Sequence, residues 1–202
     1  MRARFPFGAL AALMLLPAVA AAANPEGWRL AGNDPSSYMM DRDSVEAYAG
    51  KPSGRLMSVC EPAQWWRRWR ESTGSDSSMG CKGFGTMMQS FDAGDYARKR
   101  VRFSGYVKAR DVQGWAGLWM RVDGEGDPPQ MLAFDNMQAR PIQGSKDWAR
   151  YDVVLDVRRD ARRIFLGILL HGRGTVWLSG VTFEAVGTDV PTTDGHAEGG
   201  NK

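Results

Sequence analysis

The chain has 202 residues, 43% of them hydrophobic, which is enough for one domain with a real core. Its 26 basic residues against 23 acidic ones include Arg2 and Arg4, which lie in a leader. Without those two the balance is close to neutral, so charge makes no case for a nucleic-acid partner.

Arg2 and Arg4 precede an apolar run over residues 5–16 that is too short for a membrane span. Pro17 breaks the run, and small residues follow to Ala23. This is the pattern of a secretory signal peptide over residues 1–23, cleaved after Ala20 or as late as Ala23. The mature chain is expected in the periplasm or outside the cell, with no transmembrane segment. No cysteine follows the apolar run in a lipid-anchor position.

The folded part is expected over residues 24–186. Trp28, Arg29 and Leu30 open it, and a turn follows at 32–37. Residues 38–43 and 55–59 read as strands around a Gly/Pro turn at 49–53. Residues 60–81 form an excursion between two strands. It contains QWWRRWR at 64–70, then loop composition. Cys60 and Cys81 are the two cysteines. In an exported chain an even count predicts a disulfide, here closing the excursion at its ends. A metal site would need further ligands, and His171 and His196 are the only histidines.

Residues 84–91 resume strand. In the strand at 100–108, Val101, Phe103, Gly105 and Val107 alternate with Arg102, Ser104, Tyr106 and Lys108. A hairpin follows. Its first arm puts Ala116, Leu118, Met120 and Val122 on a core face, and Trp115, Gly117, Trp119 and Arg121 on the other. A turn at 123–129 leads to a short arm at 131–135, ending in Asp135, Asn136 and Met137. Tyr151, Val153, Leu155 and Val157 point inward from the strand at 148–157. Residues 162–170 are almost continuously apolar after Arg163, which predicts burial on both faces. Residues 175–186 are a last strand pair or one bent strand. Residues 187–202 lack large apolar side chains and are expected to be a disordered tail. Nine or ten short strands without a long amphipathic helix predict an all-β, antiparallel β-sandwich, specifically a jelly roll.

Two constellations stand out. Trp119, Arg121, Asp135 and Asn136, joined by Gln89 and Trp177, combine aromatic faces with the amides, carboxylates and guanidinium that fix sugar hydroxyls. The structural reading of the same group has the chain's own loop covering the tryptophans and Arg121 paired with Asp135. In the excursion, Trp65, Trp66, Arg67, Arg68, Trp69 and Arg70 suit an anionic envelope surface or polymer, or else plug a sandwich edge. No GxSxG, free Cys–His pair, His-rich metal spacing or cofactor motif is present. His171 reads as a surface histidine near a turn. Asp135 with Asp123 or Asp156 is the carboxylate pair to check for glycosidase-type chemistry.

Five runs resemble a known family. They are GFGTMMQSF at 83–91, RVRFSGYVKARDVQGWAGLWMRVDG at 100–124, LAFDNMQARPIQG at 132–144, WARYDVVLDV at 148–157 and GILLHGRGTVWLSGVTFE at 167–184. Together they resemble a bacterial β-sandwich domain often found behind the DNA-binding part of AraC-type transcriptional regulators, and also found free-standing. The resemblance covers residues 28–186 and implies a fold similar to galactose-binding-like jelly rolls and carbohydrate-binding modules. No helix-turn-helix region accompanies it here, and the 60–81 excursion departs from the family pattern. The function expected is therefore an exported, non-catalytic binding protein for a carbohydrate or glycan-like ligand. A structural or interaction module of the cell envelope comes second, and a polysaccharide-active enzyme third.

Overall fold

The computed structural model describes residues 24–60, 81 and 83–194. Residues 1–23, residues 61–80 with the QWWRRWR run, residue 82 and residues 195–202 lie outside the described residues.

The described chain is an antiparallel β-sandwich of the jelly-roll type. Its strands are β1 (Arg29–Gly32), β2 (Tyr38–Tyr48), β3 (Lys51–Ser58), β4 (Phe84–Asp92), β5 (Arg100–Asp123), β6 (Met131–Asp135), β7 (Ile142–Asp156), β8 (Arg163–His171) and β9 (Thr175–Val186). The hydrogen-bonded path runs β1-β4-β8-β5-β9-β3-β2, with β6 and β7 also on β5.

β5 organises the fold. The sequence predicts two strands, at 100–108 and from Trp115; they form a single strand of 24 residues. Residues 100–110 of β5 lie between β7 and β9, and residues 115–123 pair with β8. Register shifts near Ala109, Val112 and Ala116 let the strand change partners between these halves. One layer is thus β1-β4-β8 with the second half of β5 and β6. The other is β2-β3-β9 with the first half of β5 and β7.

The two layers bury one cluster between them. Val101, Phe103, Leu56 and Val176 from one layer join Leu118, Met120, Val122, Ile164 and Ile168 from the other, all fully buried. The expected inward positions Val153, Leu155 and Leu166 belong to the same cluster. β8 is apolar on both faces, as its composition predicts: Leu166 and Leu170 face this core, while Leu169 packs in a smaller cluster on the other side.

Tyr38 shows how closely the layers approach. Its ring, on β2, lies where a side chain on Gly85 of β4 would stand, and a Cβ there would come within 2.4 Å of it. Its hydroxyl reaches the carbonyl oxygens of Gly83 at 2.8 Å and Gly172 at 3.0 Å, and donates to one at a time. Burial pushes the Tyr38 phenol up to about 12. In the unfolded chain it ionises near 10. Between these values the unfolded state has lost a proton that the folded state keeps, so stability falls as pH rises. Unfolding in urea should show a loss of roughly 2 kcal/mol between pH 10 and 12. Tyr38→Phe should be weaker at neutral pH and lack that alkaline loss; an unchanged alkaline loss would assign it to another group.

Residues 187–194 depart from the expected tail. Arg100 donates to the carbonyls of Thr188 at 2.9 Å and Val190 at 2.7 Å. The Thr193 amide donates to the Val154 carbonyl, and the Val154 amide to the Thr193 hydroxyl, each at 2.9 Å. Backbone bonds hold this segment without large apolar anchors, so composition does not reveal it. Cys60 and Cys81 are bridged, with Cα atoms 5.6 Å apart, inside the usual range for a disulfide. Among the described residues, no helix is long and apolar enough to cross a membrane.

Candidate functional site

The outer face of the β2-β3-β9-β5-β7 layer carries a row of aromatic rings with charged side chains around them. Alternation along β5 sends Tyr106, Lys108 and Arg110 to this face while Val107 and Ala109 enter the core. Tyr106 stacks on Tyr48 of β2 with ring centroids 3.9 Å apart, and Trp148 of β7 tilts against Tyr48 at 5.5 Å. Gly180 permits this pairing. It has a positive φ of 60°, and a Cβ there would stand 3.2 Å from the Tyr106 ring. All three rings are half-buried.

Ion pairs frame the rings. Glu46 accepts from Lys108 Nζ at 2.8 Å and from Arg110 at 2.7 Å. The Lys108 bond is the main reason the Glu46 carboxyl sits below its ordinary range. The Arg110 guanidinium lies over the Trp177 ring, 4.8 Å from its centroid. Trp177 is buried, and its Nε1 donates to Asp43 at 2.9 Å. Burial raises the Asp43 pKa. Donation from Trp177 and from the Glu46 and Val45 amides, with the charge of Arg55, outweighs burial and holds it low. Beyond Arg110 the face opens into a cleft of about 320 Å³ lined by Ser58, Arg110, Asp111, Gln113, Arg173, Gly174 and Thr175. Partly exposed rings beside fixed donors and acceptors can hold a sugar by its C–H face and its hydroxyls.

Of the residues singled out in the sequence, Trp119 and Arg121 share the outer face around Phe165, but Asp135, Gln89 and Trp177 are not gathered there. Trp119 does leave β5 on the side away from the core, but it is only 9% exposed. It packs with Met88 and Leu169, bordered by Phe84, Trp115 and Phe165, and its Nε1 donates to Thr86 at 2.7 Å. Arg121 pairs with buried Asp123 at 2.8 Å and lies over the Phe165 ring, rather than beside Asp135. The reason is register. Asp135 stands opposite Met120, and Phe134 opposite Arg121, so Asp135 points to the face that Arg121 does not. Asp135 is buried and pairs with Arg140 at 2.6 Å. Asn136 caps its own turn by accepting from the Gln138 amide. Gln89 lies opposite Leu166, toward the core side. Trp177 alone of the set belongs to the ring-bearing face, in the other layer from Trp119. The surface set Trp65, Trp66, Arg67, Arg68, Trp69 and Arg70 lies outside the described residues.

The three carboxylates weighed for acid–base chemistry each have their own arginine: Asp123 with Arg121, Asp135 with Arg140 and Asp156 with Arg100. Among the described residues no group of His, Cys, Asp and Glu could hold a metal. His171 is exposed at the end of β8 and stacks on Trp115 with centroids 6.2 Å apart. Tyr48, Trp148 and Arg110 were missed as site residues. Alternation does place Tyr106 and Lys108 on the outer side, but Tyr48 lies past the predicted end of its strand.

No known protein-family profile matches the chain. It is 39% identical over 169 residues to YbfP of Bacillus subtilis, described as an uncharacterised HTH-type transcriptional regulator. That alignment takes in 84% of this chain and 51% of YbfP, so the chain spans about half the length of that relative. Among solved structures it superposes on the CBM22-1 xylan-binding domain of Paenibacillus barcinonensis Xyn10C with a TM-score of 0.50 and 15% identity, over 81% of this chain and 88% of that one. A second match is the enzymatically active domain of tailspike protein 4 from bacteriophage CBA120, with a TM-score of 0.52 and 11% identity, over 80% of this chain and 20% of that one. At such identities the likeness is one of fold: the chain shares the β-sandwich fold of that xylan-binding domain.

Proposed function

We propose that this chain is an exported, non-catalytic glycan-binding module whose ligand lies along the outer face of the β2-β3-β9-β5-β7 layer. The observation that carries this reading is the platform of Tyr48, Tyr106 and Trp148, half-open to solvent and framed by Glu46, Lys108 and Arg110. The CBM22 domain on which the chain superposes is described as xylan-binding, which supports the class of ligand. The disulfide and the leader-like residues 1–23 support export. The match to half of a transcriptional regulator supports a second setting for the same domain, as the ligand-sensing half of such a protein. In either setting the face performs recognition.

Calorimetric titration with neutral and acidic oligosaccharides tests the reading. Tyr106→Ala and Trp148→Ala should each weaken the binding that is found by about 1–3 kcal/mol, the scale of losing a buried aromatic contact. Circular dichroism should stay native. A folded protein that binds no member of the panel, or variants that bind as tightly as the parent, would overturn the assignment of this face.

A further inference from the structure

The cleft at the Arg110 end of the face is built from backbone contacts, which fixes its shape. The turn between β8 and β9 presses on β5: a Cβ on Gly174 would stand 2.7 Å from the Val112 Cα. The Gln113 amide donates to the Arg173 carbonyl at 2.9 Å. The Ser58 amide donates to the Gly174 carbonyl, and the Gly174 amide to the Ser58 hydroxyl, each at 3.0 Å.

Charges in the cleft are unevenly matched. Arg110 is engaged by Glu46 at 2.7 Å and by the Trp177 ring. Asp111 accepts from the Ser145 hydroxyl at 3.2 Å. Arg173 is half-buried, and its guanidinium has no carboxylate or hydrogen-bond partner among the described residues. The side chains of Gln113 and Thr175 make no hydrogen bond among the described residues either. One fork-shaped cation, an amide and a hydroxyl thus line a preformed polar cleft that continues a row of aromatic rings.

We infer that this cleft takes the carboxylate of a uronic-acid residue, so that the glycan bound on the face is an acidic one. A guanidinium matches a carboxylate in two parallel hydrogen bonds, which a neutral hydroxymethyl group cannot form. Gln113 and Thr175 suit the neighbouring hydroxyls. Asp111 on the same cleft opposes a dianion such as a phosphate ester, and the one cation left unmatched among the described residues suits one monoanion. The inference rests on the glycan-binding reading of the adjoining rings and adds the class of sugar.

The test titrates the full chain with tetragalacturonate and with xylotetraose. The parent should prefer tetragalacturonate. Arg173→Gln should weaken tetragalacturonate binding about 10- to 100-fold, the worth of a charge-assisted pair, and leave xylotetraose binding unchanged. Arg173→Lys should recover only part of the loss, because a point charge lacks the fork. Equal binding of the two sugars with a silent Arg173→Gln would overturn the uronate site and leave the glycan-binding face standing. Displacement of tetragalacturonate by equimolar inorganic sulfate would also overturn it, in favour of a generic anion contact. Binding of neither sugar by the folded parent would overturn the inference together with the reading beneath it.

Discussion

Trp119→Ala is expected to destabilise the domain by about 3–5 kcal/mol, as much as removal of a core aromatic. The indole packs between Met88 and Leu169 and is 9% exposed. It lies over Gly167, where a Cβ would meet its Nε1 at 3.0 Å, and that nitrogen donates to the Thr86 hydroxyl. The hydroxyl in turn donates to the Ile168 carbonyl at 2.8 Å. Truncation leaves a void that Gly167 cannot fill and removes the bond to Thr86. Leu118→Ala, which opens the main core from the neighbouring position, should cost about 2–5 kcal/mol. Urea unfolding of the two variants at one pH compares them directly. A loss below about 1 kcal/mol for Trp119→Ala would show the indole free of its neighbours, and would restore it as a candidate sugar platform.

Removal of the disulfide has the next largest effect expected. The bridge joins residues 21 apart, from the end of β3 to the start of β4, and these strands lie in different layers. In the chain-entropy account, freeing a loop of this size costs about 3 kcal/mol. The double variant Cys60→Ser, Cys81→Ser should lose that amount in denaturant, and its midpoint should not respond to reductant. The parent should lose a similar amount when reduced. A parent indifferent to reductant would mean that other contacts hold the loop closed. Stability that depends on the bridge suits the oxidising compartment proposed for the chain.

Much of this was legible in the residues. Period-two alternation identified the inward set Leu118, Met120, Val122, Val153 and Leu155, because the side a residue faces is decided within its own strand. The run at 131–135 matched β6 at both ends, bounded by turn residues. The even cysteine count gave the bridge. What alternation could not supply was the relation between strands. Taking the chain as broken after Lys108 hid the continuity of β5, and with it the row Tyr106, Lys108, Arg110 leading into the cleft.

Face assignments across strands are long-range facts. Register between β5 and β6 set Asp135 opposite Met120, and a one-residue difference would have put it beside Arg121. The change of layer along β5 placed Trp119 and Trp177 on different outer faces, although both alternate with core residues in the same way. Tyr48 and Trp148, distant in sequence, became one platform only when the end of β2 crossed the outer face of β9, β5 and β7. The sequence by itself determined the strands, their inward faces and the bridge, because each depends on neighbours along the chain. Only the tertiary structure decided which outward residues share a surface, because that depends on register and on where one long strand passes from one layer to the other.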